Sequence, residues 1–266
     1  MIEKVPSNLL EFDELILEPF CIFEKKNFLE NKTYNDLRNN FPNEKFFEGF
    51  HENGKKIFLN NRQNKFFEFL KTNQIWCQFY KSVNNKIFIN FMIKLINKEL
   101  KKIENRKKIK KYFFHQRFKN SLQARFLRKI LKFINYENIR IGFEFSIIKK
   151  NCYIPPHCDI ENKLLSLMIY FPPENKEENF DGIENFGTNF YKMNKNSDTN
   201  LDKWESKYLD NNDFNSFHNN YSIFYKSKFE ENKLIGFIKN HKSWHDVSQF
   251  DKDFERKSLN INIFLI

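Results

Sequence analysis

The chain is poor in the residues that punctuate a backbone, with 6 glycines and 7 prolines among 266 residues. Ordinary usage is ~7% and ~5%, so collagen-like, low-complexity and glycine-rich phosphate-loop readings have little support. Cysteine is also sparse. Cys21, Cys77, Cys152 and Cys158 contain no Cys-x-x-Cys pair, which argues against a disulfide framework or structural zinc and for a reducing cytoplasm. Long apolar runs are missing too: Leu164 to Phe171, with Ser166 inside it, falls far short of the ~20 residues a bilayer crossing needs. Glu3, Glu11, Asp13 and Glu14 give the N-terminus the wrong charge order for a secretory signal. A cytoplasmic protein with no membrane partner is expected.

What is present is apolar mass and positive charge. An apolar share of 40%, including 34 Phe, fits a folded chain rather than a disordered one. The charge is local. Between Lys98 and Lys132 stand fourteen basic residues against Glu99 and Glu104, a segment net of +12 in a chain whose total is +11. Phe91, Leu95, Ile96, Leu100 and Ile103 recur at helical spacing, as do Phe126, Leu127, Ile130, Leu131 and Ile134, so a basic helical hairpin is predicted over 98–133. It reads either as a solvated face or as a docking face for an anionic partner such as phosphate, nucleic acid or an acidic polymer.

The rest of the chain reads as a single domain, 1–266, in two parts. Residues 1–138 are mostly helical, with a short strand at Cys21 to Phe23 and helices over Lys32 to Asn39, over Gln63 to Lys71 and from Asn85 onward. After Tyr136 the period becomes two: Ile141, Phe143, Phe145 and Ile147 alternate with Gly142, Glu144 and Ser146. Further strands are expected over Leu164 to Phe171, Phe186 to Tyr191, Tyr221 to Lys226, Lys233 to Ile238 and Ser258 to Ile266, making 139–266 an antiparallel barrel or sandwich. The Asn- and Asp-rich stretch 193–220, with Trp204, Tyr208 and Phe214, reads as an ordered insertion or lid.

The chemistry concentrates in Pro155-Pro156-His157-Cys158-Asp159. In an extended segment residues i and i+2 share a face, so His157 and Asp159 can grip one ion while Cys158 points away. His245, in Ser243-Trp244-His245-Asp246-Val247, is the best third ligand; two imidazoles and one carboxylate with open positions make the facial triad suited to non-haem Fe(II). On the last strand Arg256, Ser258, Asn260 and Asn262 share one face, fit for a barrel interior holding a dicarboxylate, with the Arg256 fork on one carboxylate and Ser258 adding a hydrogen bond. The opposite apolar face needs cover, and the first-half helices are the natural cover. His241 competes with His245, but no Glu follows it to make a zincin helix, so it reads as a surface loop residue. His51, His115 and His218 read as ordinary histidines, and Trp244 suits either a pocket lining or the core.

These motifs resemble the Fe(II)- and 2-oxoglutarate-dependent oxygenases, in particular the branch near prolyl 4-hydroxylases. The matching text is His157-x-Asp159, Lys233-Leu234-Ile235-Gly236-Phe237 leading to Ser243-Trp244-His245-Asp246-Val247, and Arg256-Lys257-Ser258-Leu259-Asn260; Glu18-Pro19-Phe20 with Lys26-Asn27-Phe28-Leu29 resembles the segment ahead of their helices. The likeness covers Ile139 to Ile266 well, Ile16 to Pro42 thinly, and neither the basic hairpin nor the insertion. It implies an α+β fold with a double-stranded β-helix (jelly-roll) core and N-terminal helices on its outer face. It also implies Fe(II) on His157, Asp159 and His245, 2-oxoglutarate on Arg256 and Ser258, O2 as oxidant, and succinate and CO2 as products. Asp159 stands where halogenating relatives carry a small residue, so hydroxylation of an unidentified organic substrate, peptidyl or small, is the implied outcome. The chain departs at Asn151, Cys152 and Tyr153, where relatives commonly place a Gly, and at Phe143 and Phe145, where many place a Tyr that reaches 2-oxoglutarate; Tyr170 is the remaining candidate. Two alternatives stay open: a β-helix binding module without oxidation, and an oxygenase whose anionic polymer substrate is held by Lys98 to Lys132.

Overall fold

Alternating apolar and polar residues after Tyr136 build long strands, and helical spacing before it builds their cover. The computed structural model describes residues 12–51, 56–100, 108–116, 121–174, 182–194, 209 and 211–266. The first half carries strands β1 (Glu14–Ile16), β2 (Ile22–Lys25), β3 (Gly49–His51), β4 (Lys56–Asn60) and β5 (Tyr112–His115). Its helices are α1 (Asn31–Asn39), α2 (Asn64–Thr72), α3 (Gln74–Val83), α4 (Lys86–Leu100) and α5 (Leu122–Phe133). The second half carries β6 (Glu137–Ile148), β7 (Ile154–His157), β8 (Lys163–Phe171), β9 (Asn189–Met193), α6 (Asn211–Asn220), β10 (Tyr221–Lys226), β11 (Leu234–Ile238), β12 (His245–Val247) and β13 (Arg256–Leu265).

The strands form two sheets. The larger has the order β1-β2-β11-β8-β13-β6-β4-β3, antiparallel throughout, with β5 added parallel to β6; the smaller has the order β10-β9-β12-β7 and is antiparallel. On β13 and β6 the period-two pattern separates two environments. Leu259, Ile261, Ile263, Phe143 and Phe145 pack with Tyr34, Leu37, Phe66, Trp76 and Ile89 of the helices, so the helices cover this face as expected. The other face looks toward the smaller sheet, where Tyr170, Ile235 and Phe237 meet Phe190 and Val247. Strand β11 serves both sides, with Leu234 and Ile238 in the first cluster and Ile235 and Phe237 in the second. Between them Gly236 faces the Phe23 ring and Leu167 so closely that an added Cβ would collide with both.

Several expectations need correction. The basic segment is not a helical hairpin: β5 lies between α4 and α5 and pairs with β6, because Tyr112, Phe113 and Phe114 can extend the sheet. Of the fourteen basic residues between Lys98 and Lys132, Lys101, Lys102, Arg106, Lys107, Arg117 and Lys119 lie outside the described residues. Helix α3 and strand β4 were not predicted, and Phe186 closes a short 3-10 turn instead of opening β9. The insertion ends in a helix, α6, whose Phe214 and Phe217 fall three residues apart and pack with Tyr191 and Trp244; Trp204 and Tyr208 lie outside the described residues. No described helix is long and apolar enough to cross a membrane.

Candidate metal centre

His157 ends β7 and His245 opens β12, and the antiparallel register sets the two directly opposite each other. A separation of 88 residues in sequence thus becomes a cross-strand pair with ring centroids 4.2 Å apart. Asp159, two residues beyond His157, completes the group: one ligand atom from each of the three lies within 4.8 Å of the others. All three side chains are buried. The turn before β7 needs no glycine. Asn151 takes φ +60°, a left-handed conformation that asparagine tolerates, and its N–H donates to Phe250 O at 2.7 Å.

The backbone selects the imidazole tautomers. His157 Nδ1 lies 3.0 Å from Pro155 O and His245 Nδ1 lies 2.9 Å from Ser243 O. A carbonyl oxygen only accepts, so each Nδ1 carries the proton and each Nε2 keeps its lone pair, which is how a metal-ligating histidine is oriented. Burial pushes His157 well below the usual imidazole range, with His245 adding to the effect, and burial lowers His245 as well. Both rings are therefore neutral at neutral pH, each with a free Nε2 lone pair. Burial alone would raise the Asp159 carboxyl, but Lys163, joined by the two imidazoles once acid protonates them, outweighs it and holds it well below the usual carboxylate range. Lys163 Nζ donates to Asp159 Oδ1 at 2.7 Å and Ser166 Oγ donates to Oδ2 at 3.2 Å, while Oδ2 stands 4.0 Å from His245 Nε2.

The same cavity, about 90 Å³, is lined further along by Ser258, Thr188 and Arg256. Arg256 is among the largest fully buried side chains. Its Nε donates to Phe186 O at 2.6 Å, its Nη2 lies 3.5 Å from Thr188 Oγ1, and its guanidinium sits over the Tyr170 and Phe229 rings at 5.1 and 5.3 Å. Among the described residues no carboxylate pairs with it. A buried guanidinium without a carboxylate beside it is costly, and this end of the cavity would suit an anion. Ser258 and Ser146, paired across β13 and β6, lie 3.3 Å apart at their hydroxyls. The opposite end carries Lys56, Glu144, Asn260 and Asn262, with Lys56 Nζ 2.8 Å from Glu144 Oε1. Phe237, Met168 and Val247 supply apolar wall.

The structure therefore brings His157, Asp159, His245, Arg256 and Ser258 to one cavity. Phe143 and Phe145 point to the helices, away from it, and Tyr170 is buried behind Arg256 with its hydroxyl 2.9 Å from Thr188 Oγ1. Cys158 is buried with Sγ 3.3 Å from Asn240 O, outside the ligand group, and burial raises its thiol. Trp244 packs in the core beside Phe217 and Tyr221, and His241 is exposed. Sequence reasoning missed Lys163, Ser166 and Thr188. The first two sit four and seven residues after Asp159, a spacing that becomes meaningful only once the chain turns back as β8. It also missed Asp246, whose carboxylate accepts from Asn189 Nδ2 and Tyr191 Oη, both at 2.6 Å, and whose carboxyl burial raises.

No protein-family model matches the chain, and no curated protein matches it. Among solved structures it is similar to a prolyl-4-hydroxylase of Pseudomonas putida, at 8% identity and TM-score 0.44 over 94% of this chain and 95% of that one. A second is a Trichoplax adhaerens prolyl hydroxylase in complex with a hypoxia inducible factor oxygen degradation domain peptide, at 10% identity and TM-score 0.45 over 91% of this chain and 83% of that one. A third is HygX of Streptomyces hygroscopicus with nickel, 2-oxoglutarate and hygromycin B bound, at 6% identity and TM-score 0.43 over 92% and 82%. Likeness at this level assigns no chemistry; the side chains must carry it.

Proposed function

We propose that the chain is an Fe(II)- and 2-oxoglutarate-dependent dioxygenase on a double-stranded β-helix core, hydroxylating an organic substrate with release of succinate and CO2. The observation that carries this reading is the pairing, in one cavity, of two neutral imidazoles and an ionised carboxylate with a buried guanidinium that has no carboxylate partner among the described residues. The donor set fits a ferrous ion: two Nε2 lone pairs and one carboxylate leave coordination positions for other ligands. Bound there with 2-oxoglutarate and O2, Fe(II) would supply the oxidising chemistry that hydroxylates a C–H bond.

The chain's own residues do the rest. The Pro155 and Ser243 carbonyls hold both imidazoles in the ligating tautomer, and Lys163 and Ser166 fix the Asp159 carboxylate plane. Arg256 binds the distal carboxylate of 2-oxoglutarate through its fork, Ser258 adds a hydroxyl, and Thr188 and Phe186 O hold the guanidinium in place. Phe237, Met168 and Val247 exclude water from the reacting end. The competing reading, a β-helix binding module without oxidation, draws on the ion pair between Lys163 and Asp159, since a lysine on one carboxylate oxygen competes with a cation.

The test uses purified, iron-loaded protein. Addition of 2-oxoglutarate and O2 should release succinate, and anaerobic titration should give one Fe(II) site that His157→Ala, Asp159→Ala and His245→Ala each weaken by more than the ~10–100-fold of an outer-shell change. Fe(II) affinity unchanged in all three variants would overturn the reading. Metal binding without succinate would favour the binding module.

A further inference from the structure

Among the described residues, helix α5 meets the rest of the fold along the edge that carries Leu131. Ser121 caps it, its Oγ accepting from Ala124 N–H at 3.2 Å, and Leu131 is its sole buried residue. The Leu131 and Arg128 carbonyls, which accept from Tyr136 N–H and Asn138 Nδ2, tie it to the start of β6. At about 3.6 residues per turn, Leu122, Phe126, Ile130 and Phe133 fall within an arc of about 80°, and the Leu131 edge lies well away from its centre. All four are exposed, Leu122 at 82%, Phe126 at 66% and Phe133 at 87%; Leu127 and Ile134 extend the exposed apolar surface. A basic strip of Arg125, Lys129 and Lys132 runs beside this arc, and no acidic residue occurs from 121 to 136.

We propose that α5 is an interfacial helix that docks the protein on an anionic phospholipid bilayer. Its Leu, Ile and Phe side chains would enter the headgroup boundary while the lysines and arginines extend to lipid phosphates. A contiguous exposed apolar patch marks an interaction surface, and the charge beside it selects the occupant. A second copy of the chain would set one basic strip against another across a two-fold axis, which electrostatics opposes. A polynucleotide would satisfy the strip but leave the aliphatic side chains without a partner. The lack of a spanning run bears on crossing a bilayer, whereas an interfacial helix needs only a one-sided apolar face. The placement also suits the cavity. Helix α5 adjoins the start of β6, and Asn262 pairs with Gly142 about 17 Å along that strand. The half-buried Asn260 and Asn262 end thus lies nearer the helix than the buried Arg256 end, which pairs with Ile148. Docking through α5 requires no chemistry in the cavity.

The test is sedimentation of the full chain with vesicles of phosphatidylcholine alone or with about one-third phosphatidylserine. Binding is expected to the anionic vesicles only and to weaken with salt. Phe126→Ser/Phe133→Ser and Lys129→Glu/Lys132→Glu should each reduce it about ten-fold or more. All four side chains are exposed, so both variants should retain the wild-type circular dichroism and melting temperature. Failure of the wild type to bind anionic vesicles, or binding unaffected in both variants, would overturn the proposal. So would a lipid-free dimer that dissociates in the Phe variant, which gives the face to a second copy. RNA binding lost in the Lys variant but kept in the Phe variant, without vesicle binding, would give it to a nucleic acid.

Discussion

Phe145 and Ser146 are neighbours on β6 and equally buried, yet they serve opposite sides of the larger sheet. Phe145 meets the rings of Phe41, Phe66, Phe69 and Trp76 at centroid distances of 4.6 to 6.1 Å. Ser146 places its hydroxyl 3.3 Å from that of Ser258 and lines the cavity. The same division runs along β13, with Leu259, Ile261 and Ile263 under the helices and Arg256, Ser258, Asn260 and Asn262 toward the cavity. Apolar burial stabilises the fold without further help. Burying serines, amides and a lone guanidinium costs stability unless a ligand offsets it, so the two faces divide the labour of folding and binding.

The largest effect should fall on the apolar face. Phe145→Ala removes a ring from an edge-to-face aromatic cluster and should cost about 3–5 kcal/mol in urea unfolding. Its neighbour Ser146→Ala should cost no more than about 1 kcal/mol. Equal losses in the two variants would break the division. Next comes Arg256→Met, which deletes the proposed anion site while filling similar volume. It should lower 2-oxoglutarate affinity by about a hundred-fold, from loss of charge-assisted hydrogen bonds of ~1.5–3 kcal/mol. Its melting temperature should hold or rise, because a buried unpaired charge is gone. Calorimetric titration beside thermal melting separates these outcomes. Unchanged affinity with a large loss of stability would make Arg256 a structural residue.

The polar face was more legible in the sequence than the elements around it. Period two on β13 identifies which residues share a side without knowledge of any partner strand, and His-x-Asp needs only an extended backbone. The cross-strand meeting of His157 and His245 depended on spacing and residue type, and the register supplies what spacing could not. Helix α3 escaped because Gln74 follows α2 with a single residue between them, Asn73, whose side chain caps it by accepting from Trp76 N–H at 3.1 Å. Strand β4 escaped because its residues gain their role only by pairing with β6. The basic segment misled because the apolar spacing that marks the helices on either side is blind to a short strand such as β5 that completes a sheet edge. Lys163 reads as one more lysine until β8 brings it back to Asp159.

A smaller effect distinguishes the faces by pH. Both imidazoles have lower pKa values in the folded, metal-free protein than the ordinary 6.5 of an unfolded histidine. Below about pH 6.5 the unfolded chain therefore binds more protons than the folded one, and stability must fall as pH falls, by up to about 1.4 kcal/mol per imidazole per pH unit. Above that range neither ring contributes a slope. Asp159, held low, adds a loss of the same sign only as pH falls below the usual 3.8 of a carboxylate. Melting temperatures of the metal-free protein should therefore be level near pH 7 to 8 and decline from about 6.5 to 5. In His157→Asn/His245→Asn that decline should flatten, whereas Phe145→Ala should lower the whole curve without changing its shape. The apolar cluster on the other face carries no imidazole or carboxyl among its described residues, so an unaltered slope in the double histidine variant would mean that the acid sensitivity arises elsewhere and that the two rings are not buried neutral as the cavity geometry requires.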